Sequence, residues 1–182
     1  MMILLTAFFW ELVQNLPVVM AFVVTVWWWS QEKRGRAVLA CTAGGVAGAL
    51  IIRYTETLKI GRPFMEAWSV TLVNAVGFSL FTFLLALYTG SETRWSSWKM
   101  DVLLGVLLGG GFALAQGLAA PDAPLVGIVL HSVALAVAAA AVLVMIRRAK
   151  GRTFTGALMQ GALATLVMTA IITVIDYGYL VF

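Results

Sequence analysis

Six apolar runs, each about as long as a bilayer crossing, leave this chain almost no room for anything but membrane helices. They cover residues 2–29, 37–57, 70–90, 102–120, 125–146 and 154–182. A helix rises about 1.5 Å per residue, so about 20 residues cross a hydrocarbon core about 30 Å thick. The intervening stretches 30–36, 58–69, 91–101, 121–124 and 147–153 are too short to fold by themselves, which makes residues 1–182 one transmembrane domain. Transmembrane barrels use alternating segments of about ten residues rather than continuous runs. The expected fold is therefore all-α and polytopic, with six transmembrane helices in one bundle.

Composition closes the alternatives. Only 11% of the residues are charged and 62% are hydrophobic, whereas about a quarter are charged in soluble domains. A soluble globule and a disordered chain are excluded, and one cysteine with four prolines excludes a disulfide scaffold and a collagen-like fibre. The first run has no basic segment before it and no small-residue cleavage site, so it reads as a retained helix, with Pro17 as a kink point.

Basic residues set the expected orientation, because Lys and Arg collect on the cytoplasmic side. One set of alternate loops holds Lys33, Arg34, Arg36, Arg94, Lys99, Arg147, Arg148, Lys150 and Arg152, while the other holds Arg53, Lys59 and Arg62. Nine against three puts both termini outside, in a prokaryotic plasma membrane or its equivalent. The net charge of +4 is then a topology signal and not a nucleic-acid surface. Trp27, Trp28, Trp29, Tyr88, Trp95 and Trp98 mark the inner interface, and Tyr54, Trp68, Tyr177 and Tyr179 the outer one; Trp10 fits neither.

Small residues at four-residue spacing let helix backbones approach closely in lipid. Gly105, Gly109, Ala113 and Gly117 form such a stripe in the fourth run, and Ala40, Gly44 and Gly48 in the second. These two runs are expected to make the tight centre, joined by the alanine-rich fifth. Gly109, Gly110 and Gly111 also mark a point where a helix can loosen. At an offset of 90 residues, Gly61-Arg62-Pro63-Phe64 with Ala67 matches Gly151-Arg152-Thr153-Phe154 with Ala157, which raises a weak 3+3 inverted repeat as a hypothesis.

Ionisable groups inside spans are costly and are functional candidates by default. Counted from the ends of the runs, Glu11, Asn15, Arg53, Glu56, Asn74, Gln116, His131 and Asp176 all fall in the outer part of the bundle. Arg53 and Glu56, three apart, form an ion pair on one helical face, and Glu11 and Asn15, four apart, share another. Glu11 sits among Phe8, Phe9, Trp10, Leu12 and Val13, where desolvation calls for a proton or a cation, with Arg53 as the candidate. His131 is the side chain suited to a proton switch. The inner half, apart from Gln160, reads as an apolar plug beneath an outward-facing polar vestibule.

Other chemistries lack parts. One histidine and one cysteine are too few for a His/Cys metal site or a bis-histidine haem in one chain, so neither metal nor cofactor is expected. Cys41 has a packing role. Ser132 and His131 point about 100° apart on a helix and cannot act as a nucleophile and its base.

The leading expectation is a small membrane transporter, channel or transport subunit with a polar outward-facing cavity for an ion or small solute, with proton linkage as an option. Its other partners would be lipids, a second copy of the chain or a partner membrane subunit. The alternative is a non-catalytic membrane subunit that organises a larger complex through its glycine stripes. In length and span number the chain also resembles the substrate-capturing subunits of energy-coupling-factor vitamin transporters. That resemblance implies solute capture, but those subunits keep both termini in the cytoplasm, the reverse of the count here.

Overall fold

A computed structural model describes residues 2–60, 68–90, 98–118, 124–147 and 153–178. Backbone groups in hydrocarbon have no water to bond and must bond one another. The described residues accordingly form helices and no strand: α1 Met2–Ser30, α2 Arg34–Ile60, α3 Trp68–Gly90, α4 Trp98–Gly105, a π-helical turn Val106–Gly110, α5 Gly111–Leu118, α6 Leu125–Arg147 and α7 Phe154–Tyr177. Five of them, α1, α2, α3, α6 and α7, are long and apolar enough to cross a membrane. The fourth apolar run is three consecutive segments. Its glycines do not unwind the helix but widen it for one turn.

The turn between α1 and α2 is closed by backbone bonds from Gln31 and Lys33 back to Trp28, with Glu32 at φ 59°. A left-handed conformation costs a residue with a Cβ about 1–2 kcal/mol. Glycine there is free of this strain, at about 0.5–1 kcal/mol of extra chain entropy on folding. Glu32→Gly is expected to raise the unfolding temperature slightly in a detergent melt; a fall would show that the carboxylate has a role of its own.

Neighbouring helices run antiparallel, as the facing glycines show. Gly44 meets Ala21 and the Pro17 carbonyl while Gly48 meets Val18, so numbers rise along α2 as they fall along α1. In the same way Gly105 faces Ala140, Gly109 faces Leu135 and Ala139, and Gly110 faces Ala136. The centre differs from expectation. It is α1, in contact with α2, α3 and α7, while α6 bridges α7 to the α4, π-turn and α5 segments. The two glycine-rich runs close on different partners instead of on a common centre. The reason is geometric: Gly44 and Gly45 point about 100° apart, so one admits α1 and the other admits α3 at Ser79. Phe78 and Phe81 of α3 reach Phe112 of α5 at 5.6 and 6.3 Å between ring centres, tying the two halves together.

The halves themselves pack differently. α1, α2 and α3 each touch the other two, whereas the second half is a row in which the α4 to α5 rod packs on α6 and α6 on α7. Of the residues that suggested a repeat, Gly61, Arg62, Pro63, Phe64, Ala67, Gly151 and Arg152 lie outside the described residues.

One apolar core joins four elements. Val19, Phe22, Val23 and Val26 of α1 meet Leu85 and Ala86 of α3, Val142, Leu143 and Ile146 of α6, and Ala157 and Ala164 of α7. Long apolar side chains also cover the outside, among them Leu72, Val73, Val76 and Leu80 on α3 and Val126, Val129, Val133 and Val137 on α6. So much exposed apolar surface is stable against lipid and not against water.

Candidate functional site

The buried stripe of α1 changes character halfway along. Val26, Phe22 and Val19 are core residues, and the next turns of the same face carry Asn15 and Glu11, both half-buried. Antiparallel packing brings the C-terminal ends of α2 and α7 and the N-terminal end of α6 to this level, so their polar side chains meet here.

Three helices are joined by two polar contacts. Tyr177 of α7 donates its hydroxyl to Glu11 Oε1 of α1 at 3.2 Å. One residue earlier, Asp176 Oδ2 lies 2.6 Å from His131 Nδ1 of α6. The adjacent Asp176 and Tyr177 therefore bring His131 and Glu11 to the same end of α7. Gln14 adds α2, donating to Thr55 Oγ1, which itself donates to the Ile52 carbonyl.

The remaining candidates are placed individually. Arg53 is buried at 4% exposure and pairs with the more exposed Glu56 of its own helix at 3.2 Å, and has a further interaction within the protein. Asn74 is half-buried in α3 and has an interaction of its own. Asn15 holds its amide nitrogen buried with no hydrogen-bond acceptor among the described residues. Gln116 belongs to α5, but its side chain lies outside the described residues.

Several polar residues of the bundle carried no weight in the sequence. Tyr177 was legible only as an interfacial aromatic, and Gln14 lay hidden beside Asn15. Buried Asp101, Thr82, Thr169 and Thr173 also belong to the interior. Within the described residues, the hydroxyls of Thr82, Thr169 and Thr173 and Asp176 Oδ1 have no hydrogen-bond partner. A buried polar atom left in that condition costs about 1–3 kcal/mol. Three of the four, all but Thr82, lie on α7.

The opposite end is built differently. Lys33 and Arg36 lie 5.3 and 4.7 Å from the Trp28 ring, and Arg34 lies 4.7 Å from that of Trp29. Cations stacked on tryptophan suit the headgroup interface. Gln160 is a cross-link there, donating to the Met145 carbonyl at 3.1 Å.

Chemically, this cluster is a set of proton-exchanging groups. Two carboxyls, an imidazole and a phenol all change or share protons, and the imidazole uses one nitrogen on Asp176 while the other remains for a second partner. Among the described residues no group of three or more His, Cys, Asp or Glu is placed to hold a metal ion. Fold and cluster together define an all-helical protein of membrane-compatible helices with a polar network towards one end. Comparison of the chain with protein-family models, curated proteins and solved structures finds no match.

Proposed function

We infer that the chain is a small transporter, channel or transport subunit of a prokaryotic plasma membrane, moving an ion or small solute with a proton as the coupled species. Six crossings follow when α4, the π turn and α5, of eight, five and eight residues, act as one span. Six crossings with the cytoplasmic basic loops leave both termini outside.

The observation that carries this reading is the network of Glu11, Tyr177, Asp176 and His131 across α1, α7 and α6. Ionisable groups at membrane depth are expensive and persist where something must pass or bind. The buried amide of Asn15 and the second oxygen of Asp176 add a donor and an acceptor that the described protein groups leave unused. Pro17 contributes another acceptor, since it has no N–H to give the Val13 carbonyl one helical turn earlier.

The alternative, a subunit that organises a larger complex, relied on glycine stripes facing partners. Gly44, Gly45, Gly48, Gly105 and Gly109 are occupied within the chain, so that reading loses its main support.

Proteoliposomes with a trapped pH-sensitive dye test the transport reading directly. An imposed pH gradient should collapse faster with the wild-type protein than in empty vesicles, and Glu11→Gln should remove the difference while the helical signal and unfolding temperature hold. Equal flux in the variant would discard Glu11 as the proton-carrying group.

A further inference from the structure

The turn from α1 into α2 sets three cations side by side. Lys33, Arg34 and Arg36 are exposed, and among the described residues none of them has a carboxylate partner. Glu32, the acid beside them in sequence, is exposed and makes no ion pair there either. The cations rest on rings instead, Lys33 and Arg36 on Trp28 and Arg34 on Trp29. A cation on a ring face keeps its N–H donors for an anion.

These cations are positioned as well as present. The Trp28 ring packs against Trp27 and against Phe154 at the start of α7, with ring centres 4.5 and 6.3 Å away, and Phe154 is 4.8 Å from Trp27. Trp29 meets Phe83 of α3 edge-on at 5.8 Å. Packing from α3 and α7 thus fixes two rings of α1, and those rings place the charges at the start of α2. A topology signal needs none of this, because basic residues orient a helix by their number and side. Directly beyond the cations, α2 carries an exposed apolar strip of Leu39, Ala43 and Val46 on the face that Gly35 begins. A methyl added to Gly35 would meet nothing within 4 Å, so the way from the charges to the strip is open.

We propose that this corner binds an anionic phospholipid, its phosphodiester held by Lys33, Arg34 and Arg36 and an acyl chain lying on Leu39, Ala43 and Val46. Charge and shape together select the ligand. Cations without a protein counter-ion among the described residues call for a headgroup of net negative charge, and a zwitterionic lipid would bring an ammonium that these cations repel. A free anion would satisfy the charges and leave the apolar strip bare. The site needs only that the bundle lies in a bilayer, so it stands or falls separately from proton transport.

Lipids with brominated acyl chains, which quench tryptophan fluorescence on contact, test the site in the purified chain in detergent micelles. Phosphatidylglycerol should bind more tightly than phosphatidylcholine with the same chains. Each Lys or Arg beside an anionic headgroup is worth about fivefold in affinity. Arg36→Gln should therefore weaken phosphatidylglycerol about fivefold, and the triple variant Lys33→Gln/Arg34→Gln/Arg36→Gln about a hundredfold. Lys99→Gln removes an exposed cation from the start of α4, where Lys99 rests only on the neighbouring Trp98, and should leave binding unchanged. Equal binding of the two lipids, or undiminished binding by the triple variant, overturns the site. An equal loss from Lys99→Gln and Arg36→Gln also overturns it, because diffuse charge would then be enough. Displacement of the brominated phosphatidylglycerol by millimolar inorganic phosphate would make the corner a free-anion site and overturn the lipid assignment. The exchanged side chains are all exposed, and an unfolding temperature equal to that of the wild type in lipid-free micelles verifies that each variant is folded.

Discussion

Gly105→Ala is expected to force α4 away from α6 and to destabilise the bundle, with Gly105→Leu leaving little folded protein in a detergent melt. A methyl at Gly105 would overlap the backbone of Ala139 and Ala140, and one at Gly109 would come within 2.5 Å of the Leu135 carbonyl. Backbone atoms cannot rotate aside as a side chain can, so a whole helix must shift. Overpacking of this kind costs about 1–3 kcal/mol and occasionally more. Gly111→Ala is the internal control, since its added methyl meets nothing within 4 Å; it should melt at or above the wild-type temperature. The contact of α1 with α2 permits a stricter check. Gly44 is opposed by Ala21, so Gly44→Ala should destabilise and adding Ala21→Gly should restore much of the loss, because the single methyl has only changed sides. Equal melting of all these variants would mean that the helices are not this close.

The helices were legible because hydrocarbon imposes one solution on an apolar run, and the long elements match the runs. Their neighbours were less so. Gly44 and Gly45 read as one small-residue feature in a linear sequence, yet on a helix they serve two different partners, and no spacing rule says which. The triple glycine announced an irregularity but not its form, a widened turn that keeps Gly109 against α6. At the end that carries Glu11, counting depth from the run ends sets His131 and Asp176 at a similar level, since antiparallel neighbours of similar length bring like depths together. Tyr177 escaped because a tyrosine near a span end is equally an interfacial anchor, its ring and its hydroxyl serving different surroundings. The threonines escaped for another reason. Most bond their own helix, and which ones do not is decided by tertiary packing.

Asp101 is the clearest case of a residue misplaced by where a run was taken to begin, and its replacement by leucine should rank among the most damaging single changes. It was counted with the loop at 91–101, but it lies in the first turn of α4 with 0% exposure. The signal was present: Asp101, Gly105 and Gly109 stand four apart on one stripe, which is the face that α6 covers. The residue has an interaction within the protein, and the first turn of a helix favours a negative charge by about 0.3–1 kcal/mol, more when partly buried. Asp101→Leu removes the charge at the helix start and places a larger branched side chain at a fully buried position, at about 1–3 kcal/mol. Asp101→Asn keeps the size and a hydrogen-bonding oxygen, and loses chiefly the charge at the helix start, so it should melt well above the leucine variant. Asp101 also lies at the end of the bundle away from Glu11, with the apolar core between them. Proton flux in proteoliposomes should therefore survive Asp101→Asn. A folded asparagine variant without flux would instead make Asp101 a second station on the path and require the core between them to open.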